Sequence, residues 1–189
     1  MALTYFGYNN SSPQYSWKDD AQWYRNRNYI DGFVCPGSGH QAVKEISAYV
    51  SMPSGSGNIR CAVFDTSGNL ISQGTAEVAV TGTDPAWHGH LTQANITPNP
   101  CNLTGGVQYD IALAWDSASM QFYFDNASAG DGTYAYTDYT GGFPASLADA
   151  TQTDVILCIR CGVEAAAVGL SLLIAHNLSG DCNRMQGMD

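Results

Sequence analysis

The chain has 189 residues, 17 of them acidic and seven basic, for a formal charge of −10; 44% are hydrophobic, 11% aromatic and 13% charged. A single domain of this length can bury roughly two-thirds of its unfolded surface. So acidic a chain lacks the positive field that nucleic acid or an anionic membrane requires. Its apolar content excludes global disorder, and its longest apolar run, 165–175, falls short of the roughly 18 residues that span a bilayer.

Residues 1–28 are aromatic and polar without a period (Tyr5, Phe6, Tyr8, Tyr15, Trp17, Trp23, Tyr24) and read as an extended arm, with one helical turn over 19–24. The first eight residues have neither the basic nor the apolar region of a signal peptide. Export would then need a leader already removed or release by cell lysis. Residues 29–162 read as a β-sandwich domain. From Ala42 to Met52 the pattern alternates, with Ile46, Ala48, Val50 and Met52 on one face and Glu45, Ser47 and Ser51 on the other. Pro53 to Gly57 breaks it, and Asn58 to Asp65 follows, apolar on both faces. Asp65-Thr-Ser-Gly-Asn69 predicts a hairpin turn into Leu70–Ser72.

Thr75–Thr81 alternates again, and Trp87–Leu91 is short. Val107, Tyr109, Ile111, Leu113 and Trp115 form the cleanest apolar face, opposed by Gln108, two alanines and Asp110, whose side chain this pattern turns to solvent. Met120, Phe122 and Phe124 predict another strand, as do Val155, Leu157, Ile159 and Cys161. Eight to ten short strands between Gly, Pro, Ser and Asn turns predict an all-β fold, an antiparallel jelly-roll-like β-sandwich. The segment 163–189 reads two ways: as a strand through Val168, Leu170, Leu172 and Ile174, exchanged between subunits, or as a short helix plus tail.

The run from Ile46-Ser-Ala-Tyr-Val50, through Gly57-Asn-Ile-Arg-Cys-Ala-Val-Phe-Asp-Thr-Ser-Gly-Asn-Leu-Ile71 and a lone Trp87, to Leu103-Thr-Gly-Gly-Val-Gln-Tyr-Asp-Ile-Ala-Leu-Ala-Trp115 resembles the jelly-roll accessory domains of bacterial surface proteins and phage structural proteins. The resemblance covers about residues 30–125 and rests on pattern. It implies a non-catalytic β-sandwich of a class whose members bind carbohydrate or build the outside of a particle, and it transfers no site residue.

Six cysteines (Cys35, Cys61, Cys101, Cys158, Cys161, Cys182) in a lysine-poor, Asn/Ser/Thr-rich chain are disulfide candidates in an oxidising compartment; buried free thiols are the alternative. Cys158 and Cys161 have the CxxC spacing, but within a strand residues three apart face opposite ways, which suits neither a zinc knuckle nor a redox loop. Asn-x-Ser/Thr sequons at Asn9, Asn10, Asn95, Asn102, Asn126 and Asn177 permit a glycoprotein. His88 and His90 point the same way on a strand and could share a metal, but lack an evident third ligand, so no metal site is assigned. Asp65, Asn69, Asp116, Asp125, Asp131 and Asp138 sit in turns, where aspartate is ordinary turn chemistry and could also gather structural Ca²⁺; no other cofactor is expected.

No nucleophile motif or P-loop occurs, and Glu45, Glu77 and Glu164 lack an evident partner for acid–base work, so no catalytic residue is nominated. Aromatic residues supply the remaining binding chemistry: Tyr5, Phe6, Tyr8, Trp17, Trp23, Tyr24, Tyr134, Tyr136 and Tyr139 are candidates for a subunit interface or for stacking on glycans. The leading expectation is a non-enzymatic, self-assembling structural protein, extracellular or on a virion surface, such as a fibre subunit or a capsid or tail decoration protein. Its partners would be other copies of itself or other coat proteins. The alternative is a carbohydrate-binding module using loop aromatics.

Overall fold

A computed structural model describes residues 2–18, 23–26, 33–126, 131–135, 139–147 and 151–165. The strands in chain order are β1 (Thr4–Gly7), β2 (Tyr15–Trp17), β3 (Trp23–Asn26), β4 (His40–Ser51), β5 (Gly57–Asp65), β6 (Leu70–Gly74), β7 (Val78–Val80), β8 (Ala86–His90), β9 (Ile96–Thr97), β10 (Asn102–Thr104), β11 (Tyr109–Trp115), β12 (Gln121–Asn126), β13 (Gly132–Ala135), β14 (Thr151–Thr153), β15 (Val155–Leu157) and β16 (Ile159–Ala165). Among the described residues the only helical element is a 3₁₀ turn at Gln93–Asn95.

These strands make two antiparallel sheets stacked as a sandwich, as the alternating pattern predicts. The first runs β1-β16-β4-β12-β15, with β8 and β10 also on β4 and β2 on β12; the second runs β14-β13-β3-β11-β5-β6-β9, with β7 on β5. The core between them follows the period-two pattern. Ile46, Ala48 and Val50 from β4, with Met52 just past its end, meet Ile59, Cys61 and Val63 from β5 and Ile111, Leu113 and Trp115 from β11. Trp115 lies 4.2 Å from Phe122 between ring centroids.

The first sheet contains a three-way junction. The chain of β15 and β16 lies beside β12 through Leu157 and beside β4 from Ile159 onward. At the switch, the Tyr49 amide donates to the carbonyl of Cys158 and the Cys158 amide to the carbonyl of Tyr123. The CxxC pair therefore spans a strand-to-strand crossing.

The N-terminal segment differs from a free arm. β1 pairs with β16, β2 with β12, and β3 lies between β11 and β13 inside the second sheet. Phe6 is buried in the common core. Trp23, expected in a helical turn, lies in a strand. Aromatic residues without a period fit here because each short strand adds only three or four residues to an existing edge or slot. The lone helix-or-strand segment after Ala165 lies outside the described residues, so the exchanged strand at 168–174 does too.

Asp110 is a correction: it is 1% exposed rather than turned to solvent. Over β5 and β11 the second sheet is covered on its outer face as well as its inner one. Residues 139–147 cross its outer side and pack Phe143 and Leu147 onto Ala62, Phe64, Ala112 and Ala114. This strap is fixed to the hairpin by Leu70 N–H to the Ala145 carbonyl and Leu147 N–H to the Gly68 carbonyl. The hairpin itself is the predicted turn: Asp65 Oδ1 accepts from the amides of Ser67 and Asn69 at 2.9 and 2.8 Å, and Gly68 takes φ +84°. Val107, expected in the apolar face of β11, precedes that strand and is exposed.

Candidate functional site on the outer face of the first sheet

The outer face of the first sheet gathers side chains that lie far apart in sequence. On β4, Glu45, Ser47, Tyr49 and Ser51 alternate outward against the inward apolar set, because successive strand residues face opposite ways. Cross-strand register then decides the neighbours: Tyr5 stands opposite Gly162, Gly162 opposite Glu45, Arg160 opposite Ser47, and Trp87 opposite Tyr49. Gly162 leaves room for a ring; a Cβ there would come within 2.9 Å of Tyr5 Cε1.

Arg160 occupies the middle. Its guanidinium carbon lies 4.2 Å from the centroid of Tyr5 and 4.0 Å from that of Trp87, between the two rings. Its Nε and Nη2 donate to Glu45 Oε1 at 3.0 and 2.8 Å, and Nη1 donates to Asn9 Oδ1 at 3.0 Å. Glu45 also accepts from Tyr5 Oη at 3.0 Å and from Ser47 Oγ at 2.7 Å, so its carboxylate is fully engaged although only 6% exposed. Beyond Trp87 the row continues through Tyr49 and Tyr123, with 5.4 Å between successive centroids. Ser51 Oγ and Tyr123 Oη are hydrogen-bonded at 3.1 Å. Burial, followed by the bond to Glu45, raises the Tyr5 pKa and keeps its phenol protonated. The result is a pre-set row of Tyr5, Arg160, Trp87, Tyr49 and Tyr123 in which charge is balanced internally.

Of the nine aromatic candidates, Tyr5 is the only one among those with described side chains that belongs to this row. Phe6 is core. Tyr8 packs on the core and donates to Asp125. Trp17 packs against Phe122 and Phe124, Tyr134 against the main core, and Tyr139 on Phe143 under the strap. Trp23 and Tyr24 contribute backbone to β3, and Tyr136 lies outside the described residues. The sequence reading missed Tyr49, Trp87, Tyr123 and Arg160 as a group. The available signal was the outward alternation of β4 and the isolated Trp87; the register that joins them is long-range.

Cys35, Cys61, Cys101, Cys158 and Cys161 are free, buried thiols, and Cys182 lies outside the described residues. Burial pushes Cys35 up to about 11 and Cys158 up to about 12, and raises Cys61, Cys101 and Cys161 as well, so all five are held as neutral thiols. They serve as small apolar core residues in this structure rather than as disulfide partners.

His88 and His90 do share a side, opposite the inward residues Ala48 and Ile46 of β4. His90 Nε2 accepts the Cys61 amide at 3.2 Å, which places its proton on Nδ1. Burial, with the nearby Arg60 cation, lowers its pKa to about 4. Burial also lowers that of His88. Among the described residues no three His, Cys, Asp or Glu side chains are grouped to hold an ion.

The turn carboxylates act as acceptors. Asp116 takes the Asn58 amide and side chain at 2.6 and 2.7 Å, and Asp125 takes Tyr8, Asn10 and the Gln14 amide. Asp131 is buried; Asp138 lies outside the described residues. Glu164 approaches Lys44 at 3.6 Å.

Scanned against models of known protein families, the chain matches none, and no curated protein or solved structure shows significant similarity to it.

Proposed function

We propose that the chain is a non-enzymatic structural subunit of an extracellular or virion-surface assembly, and that it self-associates through the edge of its first sheet at β1. One observation carries this reading: among the described residues the first sheet ends on β1, which pairs through Thr4–Gly7 with β16 and is the last strand of the path. Edge strands in stable monomers are commonly blunted by lysine, proline, a bulge or a cover. Residues Leu3–Gly7 contain neither lysine nor proline, and the register with β16 is regular over the four pairs. Backbone pairing across such an edge requires no complementary charge, which suits subunits that each carry −10. Glu45, bonded to Tyr5, Ser47 and Arg160, and His90, which accepts from the Cys61 amide, are held in packing, which supports a non-enzymatic role.

Static light scattering across a concentration series, on the intact chain and on Thr4→Lys, tests the reading. Thr4 is exposed, so the lysine can be accommodated in a single subunit. The intact chain is expected to scatter as a multiple of 20.2 kDa, and Thr4→Lys to shift toward that unit mass. Unit mass for the intact chain at every concentration would overturn the proposal.

A further inference from the structure

We propose that the edge of β1 receives, in backbone pairing, residues 167–175 of a neighbouring copy of the chain, so that each subunit donates this run to the next. The inference rests on the reading of β1 as a subunit contact and names the segment that fills it. β16 stays paired with β4 up to Ala165, opposite Gln41, so the chain leaves the first sheet as extended strand. The run that follows, 165–175, contains no charged residue and no proline, and it alternates Val168, Leu170, Leu172 and Ile174 with Gly169, Ser171, Leu173 and Ala175. The first of these sets is a wholly apolar strand face, which gains by being covered.

Topology selects a neighbour as the donor. β1 runs antiparallel to β16, with Thr4 opposite Val163, so β16 ends beside the start of β1. A strand pairing antiparallel on the free side of β1 has to begin at the far end, beside Gly7. A parallel one needs a crossover connection of about a dozen residues. The apolar run begins at Ala165 itself and leaves no residues for either path within one subunit. The run of a second copy meets no such constraint, because it approaches from outside.

Side chains and charge fit the same occupant. Phe6 points into the core, while Tyr5 on the opposite face bonds Glu45. A strand added to β1 sends alternate residues to these two faces. With Val168, Leu170, Leu172 and Ile174 on the Phe6 side, the core gains an apolar margin, and Gly169 and Ser171 fall on the Tyr5 side. A slip of one residue would reverse this, so the pattern fixes the register. An uncharged donor adds no repulsion between subunits that each carry −10. Donor and acceptor are different edges, so the contact is head-to-tail and propagates to a ring or filament; β1 paired with β1 would close at two copies.

The test is static light scattering on variants of the intact chain and on their mixture. Thr4→Lys blunts the acceptor, and the double variant Leu170→Asp/Leu172→Asp blunts the donor; each alone is expected at the unit mass of 20.2 kDa. Mixed in equal amounts, they should scatter at twice that mass, because one intact donor then meets one intact acceptor and nothing further can add. Far-UV circular dichroism identifies which variants are folded. Ser171→Pro, which removes a backbone donor from the run, serves if the double variant is not. Association retained by the folded donor variant, or a mixture that stays at unit mass, would overturn the exchange and leave β1 of a second copy as the occupant of the edge. Unit mass for the intact chain at every concentration, or an unchanged mass for Thr4→Lys, would overturn the reading of β1 and the exchange with it.

Discussion

The imidazole of His90 fills the space that a side chain on Gly74 would need: a Cβ built on Gly74 would lie 1.9 Å from Cε1 of the ring. His90 comes from β8 of the first sheet and Gly74 from the end of β6 in the second. The contact therefore fastens the sandwich at one margin. The Gly74 carbonyl also accepts from Arg60 Nη1 at 3.0 Å, and Arg60 Nε donates to the Thr140 carbonyl at 2.5 Å, so the strap is tied to the same point.

Gly74→Ala should destabilise the fold by about 1–3 kcal/mol, the usual cost of overpacking a filled site. His90→Ala should also destabilise, because it leaves a void and strips the Cys61 amide of its acceptor. The two changes compete for one volume, so the double variant should lose less than the sum, with a coupling of about 0.5–3 kcal/mol. Urea unfolding of the four proteins measures this; strictly additive losses would contradict the contact.

Acid should weaken the protein through the same residue. His90 has a folded pKa of about 4, against roughly 6.5 for an unfolded histidine. Between those values the unfolded chain takes up a proton that the folded chain refuses, so stability falls as pH drops from about 6.5 to 4 and is unaffected by His90 above that window. The loss amounts to roughly 3 kcal/mol at most. His90→Gln should flatten this part of the pH–stability curve. An equal slope in both proteins would remove His90 as its source.

Glu45 and Arg160 form a pair in which both side chains are mostly buried, at 8% and 16% exposure. Removing either partner leaves a charge with reduced solvation, so Glu45→Ala and Arg160→Ala should each cost about 2–4 kcal/mol. The double variant should recover part of that loss. Arg160→Lys keeps the charge but loses the planar stack between Tyr5 and Trp87 and the two-nitrogen contact, so it should still be destabilised. Thermal melts of the four proteins would show it; a wild-type melting temperature for Arg160→Lys would contradict the stacking role.

Five buried thiols held neutral should react slowly. In a Cys182→Ser variant, Ellman's reagent is expected to label the native protein only as fast as it opens, and to titrate five thiols at once in denaturant. Prompt labelling of the native variant would contradict the burial of Cys35, Cys61, Cys101, Cys158 and Cys161. Fewer than five thiols in denaturant would instead reveal disulfides.

Much of the sandwich was legible because strand alternation is a local property. The inward set of Ile46, Ala48, Val50 and Met52, the apolar row of β11 and the Asp65–Asn69 hairpin each follow from neighbouring residues. What covers the far side of a strand is not local. Asp110 reads as solvent-facing because polar and small residues flank it, yet the strap from 139–147 closes over that side of the sheet. β1, β2 and β3 were unreadable as strands for a related reason: three or four residues carry too short a period, and their pairing is fixed by partners up to about 160 positions away, as in Tyr5 opposite Gly162. The same limit hid the outer-face row. Trp87 and Arg160 are ordinary residues in sequence and become a stack only when β8 and β16 flank β4.

The central claim is that β1 is a contact between subunits, and concentration-dependent amide hydrogen exchange tests it most directly. Amides of Thr4–Gly7 that face away from β16 should become protected as protein concentration rises through the association range, while those of β11 in the sheet interior stay unchanged. Exchange in Thr4–Gly7 that is independent of concentration would contradict the claim.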